Sequence, residues 1–147
     1  MGWQTFLSSC IVCTRYSVSP VTALPSTEKM NCAKFLSNEY ILCVSTEILF
    51  EYEEILQQKS SPVAADLFMK VIARSRNVER KDPYFHLFLV KQDFDDNKFV
   101  DCAFVCQADL IVTDDSHFKD VIDSKFLTFR VMNLDEFAER MEDQSTT

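Results

Sequence analysis

The stretch Asp93-Phe94-Asp95-Asp96-Asn97-Lys98-Phe99-Val100-Asp101-Cys102-Ala103-Phe104-Val105-Cys106-Gln107-Ala108-Asp109-Leu110-Ile111-Val112-Thr113-Asp114-Asp115-Ser116-His117-Phe118-Lys119-Asp120 decides how the chain folds. In order it holds a carboxylate cluster, a helix, a short apolar strand and a second carboxylate cluster. Phe99, Cys102, Ala103 and Cys106 recur at i, i+3, i+4 and i+7, the stripe of an amphipathic helix. At about 100° per residue, Asp96 lies within roughly 60° of Phe99 and Ala103. That puts it at the helix start on the core-facing side. Asn97, Lys98 and Asp101 fall on the face expected to be exposed. Leu110-Ile111-Val112 is a continuous apolar run bounded by acids, the pattern of a strand buried on both faces. Thr113, Asp114 and Asp115 follow its C-terminal end, the edge at which open parallel sheets bind ligands.

On the N-terminal side, residues 40–44 read as a buried strand. Ser45 caps the helix that follows, with Glu47 in the first turn where the helix dipole favours negative charge. Ile48, Leu49, Tyr52, Ile55 and Leu56 form its buried stripe. Glu51 and Glu53 flank that stripe on opposite sides, and periodicity does not choose between them as the carboxylate that reaches a cleft. Ser61 and Pro62 open a further helix to about Arg74, with Leu67, Phe68, Val71 and Ile72 as its apolar side. Residues 75–82 read as a charged loop and 85–90 as strand-like. Beyond the acidic centre come a loop or short helix at 118–122, an alternating strand at 127–132, a terminal helix at 134–141 and a frayed tail at 142–147. Residues 1–30 are the least regular, with a short strand at 11–13, a loop at 17–27 and a helix start at 26–28. Strands alternating with helices indicate one α/β domain with a largely parallel central sheet.

A chain of 147 residues is long enough for a single substantial core. The formal charge of −8 argues against a broad basic nucleic-acid surface. It does not exclude a nucleic-acid substrate, because carboxylates that hold a divalent ion meet phosphate through the ion. Lys70, Arg74, Arg76 and Arg80 are the cations available to offset long-range repulsion. The six cysteines (Cys10, Cys13, Cys32, Cys43, Cys102 and Cys106) lie in too long and regular a chain for a disulfide-stapled scaffold. They are expected to be reduced, mostly buried thiols in a cytoplasmic protein. Cys10 and Cys13 have the C-x-x-C spacing but lack a second pair at metal spacing. The first residues lack the basic n-region of a secretion signal, and no run reaches the roughly 18 apolar residues of a membrane helix.

Hard oxygen ligands gathered at strand ends suit Mg²⁺ or Mn²⁺. Such an ion lowers the pKa of a bound water and neutralises charge on a phosphate oxygen. The candidate ligands are Asp96, Asp115 and one of Glu51 or Glu53, with Asp95 and Asp114 as helpers and the Thr113 hydroxyl orienting water or ligand. The plainer reading of Asp95 or Asp96 is a helix cap. Calcium sensing is not expected, since residues 93–96 lack the Gly and closing Glu of an EF-hand loop. With Gly2 as the only glycine there is no Gly-rich phosphate loop, and His86 and His117 are isolated.

The three segments at 45–56, 93–103 and 108–118 resemble, in order, the motifs of PIN domains. The branch they are most similar to is that of bacterial toxin components of toxin–antitoxin pairs (VapC-like), over about residues 35–141. The resemblance implies a three-layer α/β/α sandwich and Mg²⁺- or Mn²⁺-dependent cleavage of single-stranded RNA. It also implies an antitoxin partner and a homodimer. By that match Glu51 is the family's helix glutamate, Asp96 the aspartate opening the later helix, and Asp115 the one after the Thr-containing strand. The family's first strand ends in Asp-Thr-Asn, whose Asp is a central metal ligand. Here the equivalent place falls near Ile11–Arg15, with Cys13 standing for the Asp, and a neutral thiol is a poor Mg²⁺ ligand. This departure leaves two explanations, an N-terminus altered by a shifted reading frame or a catalytically degenerate PIN-fold module that binds RNA or protein without turnover.

Overall fold

The computed structural model describes residues 11–14, 40–91, 93–113, 118, 129–133, 135–137 and 139–140. The strands are β1 (Ile11–Thr14), β2 (Ile41–Val44), β3 (Val78–Arg80), β4 (Leu110–Val112) and β5 (Arg130–Met132). The helices are α1 (Thr46–Lys59), α2 (Pro62–Arg74) and α3 (Asn97–Cys106), the last preceded by a 3₁₀ turn at Phe94–Asp96. The helix expected to start at 26–28, the loop or short helix at 118–122 and the tail at 142–147 lie outside the described residues, apart from Phe118. Residues 135–137 and 139–140 are helical, as expected of the terminal helix.

The strands form one sheet in the order β3-β2-β1-β4-β5. β2 pairs with β3 and β4 with β5 in parallel, while β1 pairs antiparallel with both β2 and β4. Two strands that both oppose β1 must run with each other, so β2, β3, β4 and β5 share one direction. The parallel sheet expected from the sequence is met in those four, and the central strand is reversed. The reversal corrects the placing of Cys13. It pairs with Leu42 and Leu110, at or near the N-terminal ends of the parallel strands, while Ile11 pairs with Val112 at the C-terminal end. Cys13 therefore does not occupy the position of a first-strand aspartate at the carboxyl edge.

α1 begins directly after β2, its first turn closed by Ser45 Oγ accepting from the Ile48 N–H at 3.3 Å. Ser61 serves α2 in the same way, accepting from the Ala64 N–H at 3.1 Å, with Pro62 in the first turn. The buried stripes are Ile48, Tyr52 and Leu56 on α1, and Ala65, Phe68 and Ile72 on α2. Leu67, expected on the apolar side of α2, is exposed instead. The two helices meet at Tyr52 and Phe68, whose rings stand edge to face at 6.2 Å. α3 packs on β1, β2 and β4. Cys43, Cys102 and Cys106 are buried thiols outside any disulfide, as expected, and a hydrogen bond to Cys106 together with burial pushes the Cys102 thiol far up. Among the described residues no helix is long and apolar enough to cross a membrane.

Two readings between α2 and α3 are corrected. The charged run 75–82 contains β3, because an edge strand needs only one partner and tolerates charge on its open side. Asn77 fixes its entry, its side chain donating to Tyr40 O at 3.1 Å and its carbonyl accepting from Leu42 N at 2.9 Å. The apolar run 85–90, expected to be strand-like, has no regular secondary structure and turns through Phe88 at φ 54°.

Candidate functional site

Because α1 leaves β2 at its C-terminal end and α3 leads back to β4, both helix N-termini stand at the carboxyl edge of the parallel strands. Between them opens a cleft of about 500 Å³ whose polar lining includes Glu47, Glu51, Glu54, Asp95, Asn97 and Lys98. Phe50, His86, Phe88 and Phe94 supply its aromatic lining.

The chemical centre of the cleft is a lysine between two carboxylates. Lys98 Nζ lies 3.0 Å from Asp95 Oδ2 and 3.3 Å from Glu51 Oε2, and 5.8 Å from the centre of the Phe99 ring. Its side chain is only 11% exposed, which corrects its expected place on the solvent face. Burial works against its charge, but the hydrogen bond to Asp95 and the attraction of Glu51 prevail and hold its pKa above the ordinary lysine value. Glu51 is shifted upward by burial, an effect only partly offset by Lys98 and reinforced by Asp95 and Asp93. Its Oε2 is buried, and the 3.3 Å contact with Lys98 is not aligned as a hydrogen bond. Among the described residues this oxygen has no aligned hydrogen-bond donor, and the Lys98 ammonium is the cation beside it.

Of the two glutamates left tied by periodicity, Glu51 lines the cleft and Glu53 is not among its described lining residues. Asp95 faces the cleft, and Asp96 sits half-buried at the N-terminus of α3 without a side-chain capping bond. The capping role considered for these two belongs to Asp93, whose carboxylate accepts from Asp95 N at 3.1 Å. Thr113 is buried just beyond β4, its N–H donating to Met132 O at 2.9 Å. Asp114, Asp115 and His117 lie outside the described residues.

Asn97 and Asp101, expected on the exposed face of α3, are 4% and 1% exposed. The loop at 86–90 covers that face, and its backbone supplies their partners. Asp101 accepts from Leu87 N at 3.0 Å and lies 3.1 Å from His86 Nδ1. Asn97 accepts from Val90 N at 2.9 Å and donates to the carbonyls of Val90 and Phe94, each at 3.0 Å. The sequence carried one signal of this, two polar residues at i and i+4 on a helix with few other polar positions.

Glu51 and Asp95 offer hard oxygen donors of the kind a divalent ion takes, and the Lys98 ammonium lies between them. Among the described residues no group of three or more His, Cys, Asp or Glu side chains gathers into a metal cluster. Comparison with curated proteins and with solved structures gives no match. The family profile described as PIN domain matches residues 25–117, a span that takes in β2 to β4 and every residue of the cleft and leaves β1 outside. With well over half of its residues matched, the chain belongs to the PIN domain family.

Proposed function

We propose that this PIN domain is a divalent-metal-dependent endoribonuclease that cleaves single-stranded RNA, acting as the toxin of a toxin–antitoxin pair, with its whole domain a three-layer α/β/α sandwich. The observation that carries the reading is the Glu51–Lys98–Asp95 group in a cleft between two helix N-termini at the sheet's carboxyl edge. Glu51 and Asp95 would hold Mg²⁺ or Mn²⁺, with Asp96, Asp114 and Asp115 as the further acidic candidates and Thr113 in support. A bound ion supplies Lewis acidity and a water of lowered pKa. The chain's own part is positional. Glu51 is carried rigidly on α1, and Asp95 is set by the turn that Asp93 caps. Lys98 would offer its ammonium to a phosphate oxygen on which charge develops.

The test is cleavage of a fluorescent single-stranded RNA with Mn²⁺, comparing the chain with Asp95→Asn, Asp96→Asn and Asp115→Asn. Loss of cleavage in each variant is expected. Cleavage that survives all three would remove the carboxylates from the chemistry.

The PIN-fold module without turnover remains the second reading, favoured by β1, which brings no carboxylate to the sheet and runs against its neighbours. Under that reading Cys13→Asp does not restore activity, because the register puts position 13 toward the opposite end of the sheet from the cleft.

Lys98→Met separates the roles of the ammonium. It leaves Glu51 and Asp95 facing each other uncompensated and is expected to cost about 1–2 kcal/mol in EDTA, a partly buried pair lying between exposed and buried cases. Mn²⁺ should then raise the melting temperature more in the variant than in the parent protein. An equal or smaller rise would show that Lys98 does not compete with the ion.

A further inference from the structure

Four aromatic side chains rim the carboxylate cleft with their rings open to solvent. Phe88 is 54% and Phe94 71% exposed. Their rings stack at 5.4 Å with an interplanar angle of 29°, and the His86 ring lies 5.6 Å from Phe88, tilted by 47°. Phe50 faces the same cleft from α1 and is also exposed. Hydrophobic packing does not explain this arrangement, since such rings gain most when buried.

The rings are also held in place. Asp101 and Asn97, the two buried polar side chains of α3, hold the His86 ring and the backbone at Leu87, Val90 and Phe94, on either side of Phe88. Between those anchors Phe88 adopts φ 54°, a left-handed conformation that a bulky residue takes at a cost. A strained residue fixed by buried anchors, with its ring turned outward beside charged groups, is arranged to present that ring.

We propose that His86, Phe88 and Phe94, with Phe50 opposite, form a stacking platform for unpaired bases of a single-stranded nucleic acid, seating it across the Glu51–Asp95 centre. The proposal rests on the nuclease reading for its choice of ligand. The electrostatics favour this mode of binding. Glu47, Glu51, Glu54 and Asp95 line the cleft beside Lys98 on a chain of net charge −8, so the chain's own side chains offer phosphate little net attraction. Base–aromatic stacking does not depend on phosphate charge and tolerates any sequence. Binding should accordingly change little with monovalent salt and strongly with the presence of bases.

The experiment uses the full chain and a short single-stranded RNA bearing 2-aminopurine, with Ca²⁺ as counter-ion to the carboxylates. Stacking on the platform quenches 2-aminopurine emission on binding. Phe88→Asn is the decisive variant, because Asn tolerates the left-handed conformation and removes the ring. It should melt no lower than the parent, lose the quench and weaken binding about tenfold or more. Phe94→Ala should weaken binding similarly, and an abasic version of the RNA should bind the parent as weakly as the variants bind the normal RNA. Full affinity in Phe88→Asn, binding without quench, or no binding at all would each overturn the platform. A parent that is dimeric and becomes monomeric in Phe88→Asn, with unchanged RNA affinity, would assign the rings to a protein interface and overturn it too. Binding with quench but no cleavage in Mn²⁺ would leave the platform standing and refute the nuclease. Cleavage without quench would do the reverse.

Discussion

Glu51→Gln is expected to reduce RNA cleavage at least about a hundredfold while leaving the protein no less stable at neutral pH. The activity estimate is a lower bound, because even outer-shell partners of metal ligands are typically worth about 10–100-fold. The stability half follows from the same carboxyl. Burial raises its pKa above the ordinary value of 4.5 despite the neighbouring Lys98. Between that ordinary value and the raised one, the folded state binds more protons than the unfolded state. Stability then falls as pH rises through this window, and above it the charged Glu51 is a net cost that a neutral glutamine does not carry. Melting curves of the two proteins should therefore separate in favour of the variant at neutral pH and converge below the ordinary value. Glu53→Gln, outside the described cleft lining, should change neither property. A Glu51→Gln protein that melts lower at neutral pH would make Glu51 a structural partner of Lys98, and one that cleaves normally would lie outside the site.

The elements that frame the acidic stretch were readable because their signals are local. The apolar stripe of α3 and the strand Leu110–Val112 follow from spacing alone, and Glu51 and Asp95 reach one cleft because each stands near the start of a helix. Lys98 was misplaced for a physical reason. A helix wheel assumes one buried face, and α3 has two, the sheet on one side and the loop at 86–90 on the other. The second cover comes from residues whose apolar run imitates a strand, and its course depends on Asp101 and Asn97 making bonds that no periodicity encodes. β3 was hidden by its charge, since one side chain row of an edge strand meets water. The reversed direction of β1 was not legible either, because four residues alone carry no directional signal. The match to the PIN domain begins after that strand, so the family gives no guide to its direction either.

Asn97→Ala is expected to cost about 3 kcal/mol, a drop in melting temperature on the order of 10 °C for a domain of this size. The side chain is 4% exposed and satisfies three backbone groups, the N–H and carbonyl of Val90 and the carbonyl of Phe94. Alanine leaves both Val90 groups without that partner in a place water does not easily reach, while the Phe94 carbonyl keeps the Asn97 backbone N–H, and each buried unsatisfied group costs about 1–3 kcal/mol. Partial opening of the loop to solvent returns some of this, so the expected total is below the sum of two full penalties. Asn97→Asp separates geometry from bonding. It keeps the acceptor for Val90 N–H but turns a second acceptor toward two carbonyls, and should be at least as destabilising as alanine. Amide exchange gives the local readout, because Val90 and Leu87 should lose protection in Asn97→Ala before Phe99 and Val100 on the core side of α3. The same clamp sets the turn that carries Phe94 and Asp95. Cleavage should therefore fall in Asn97→Ala even at temperatures where the variant is fully folded. A variant that melts like the parent yet cleaves poorly would instead place Asn97 in contact with the RNA, and one unchanged in both would mean that the loop is held by the Asp101 bonds alone.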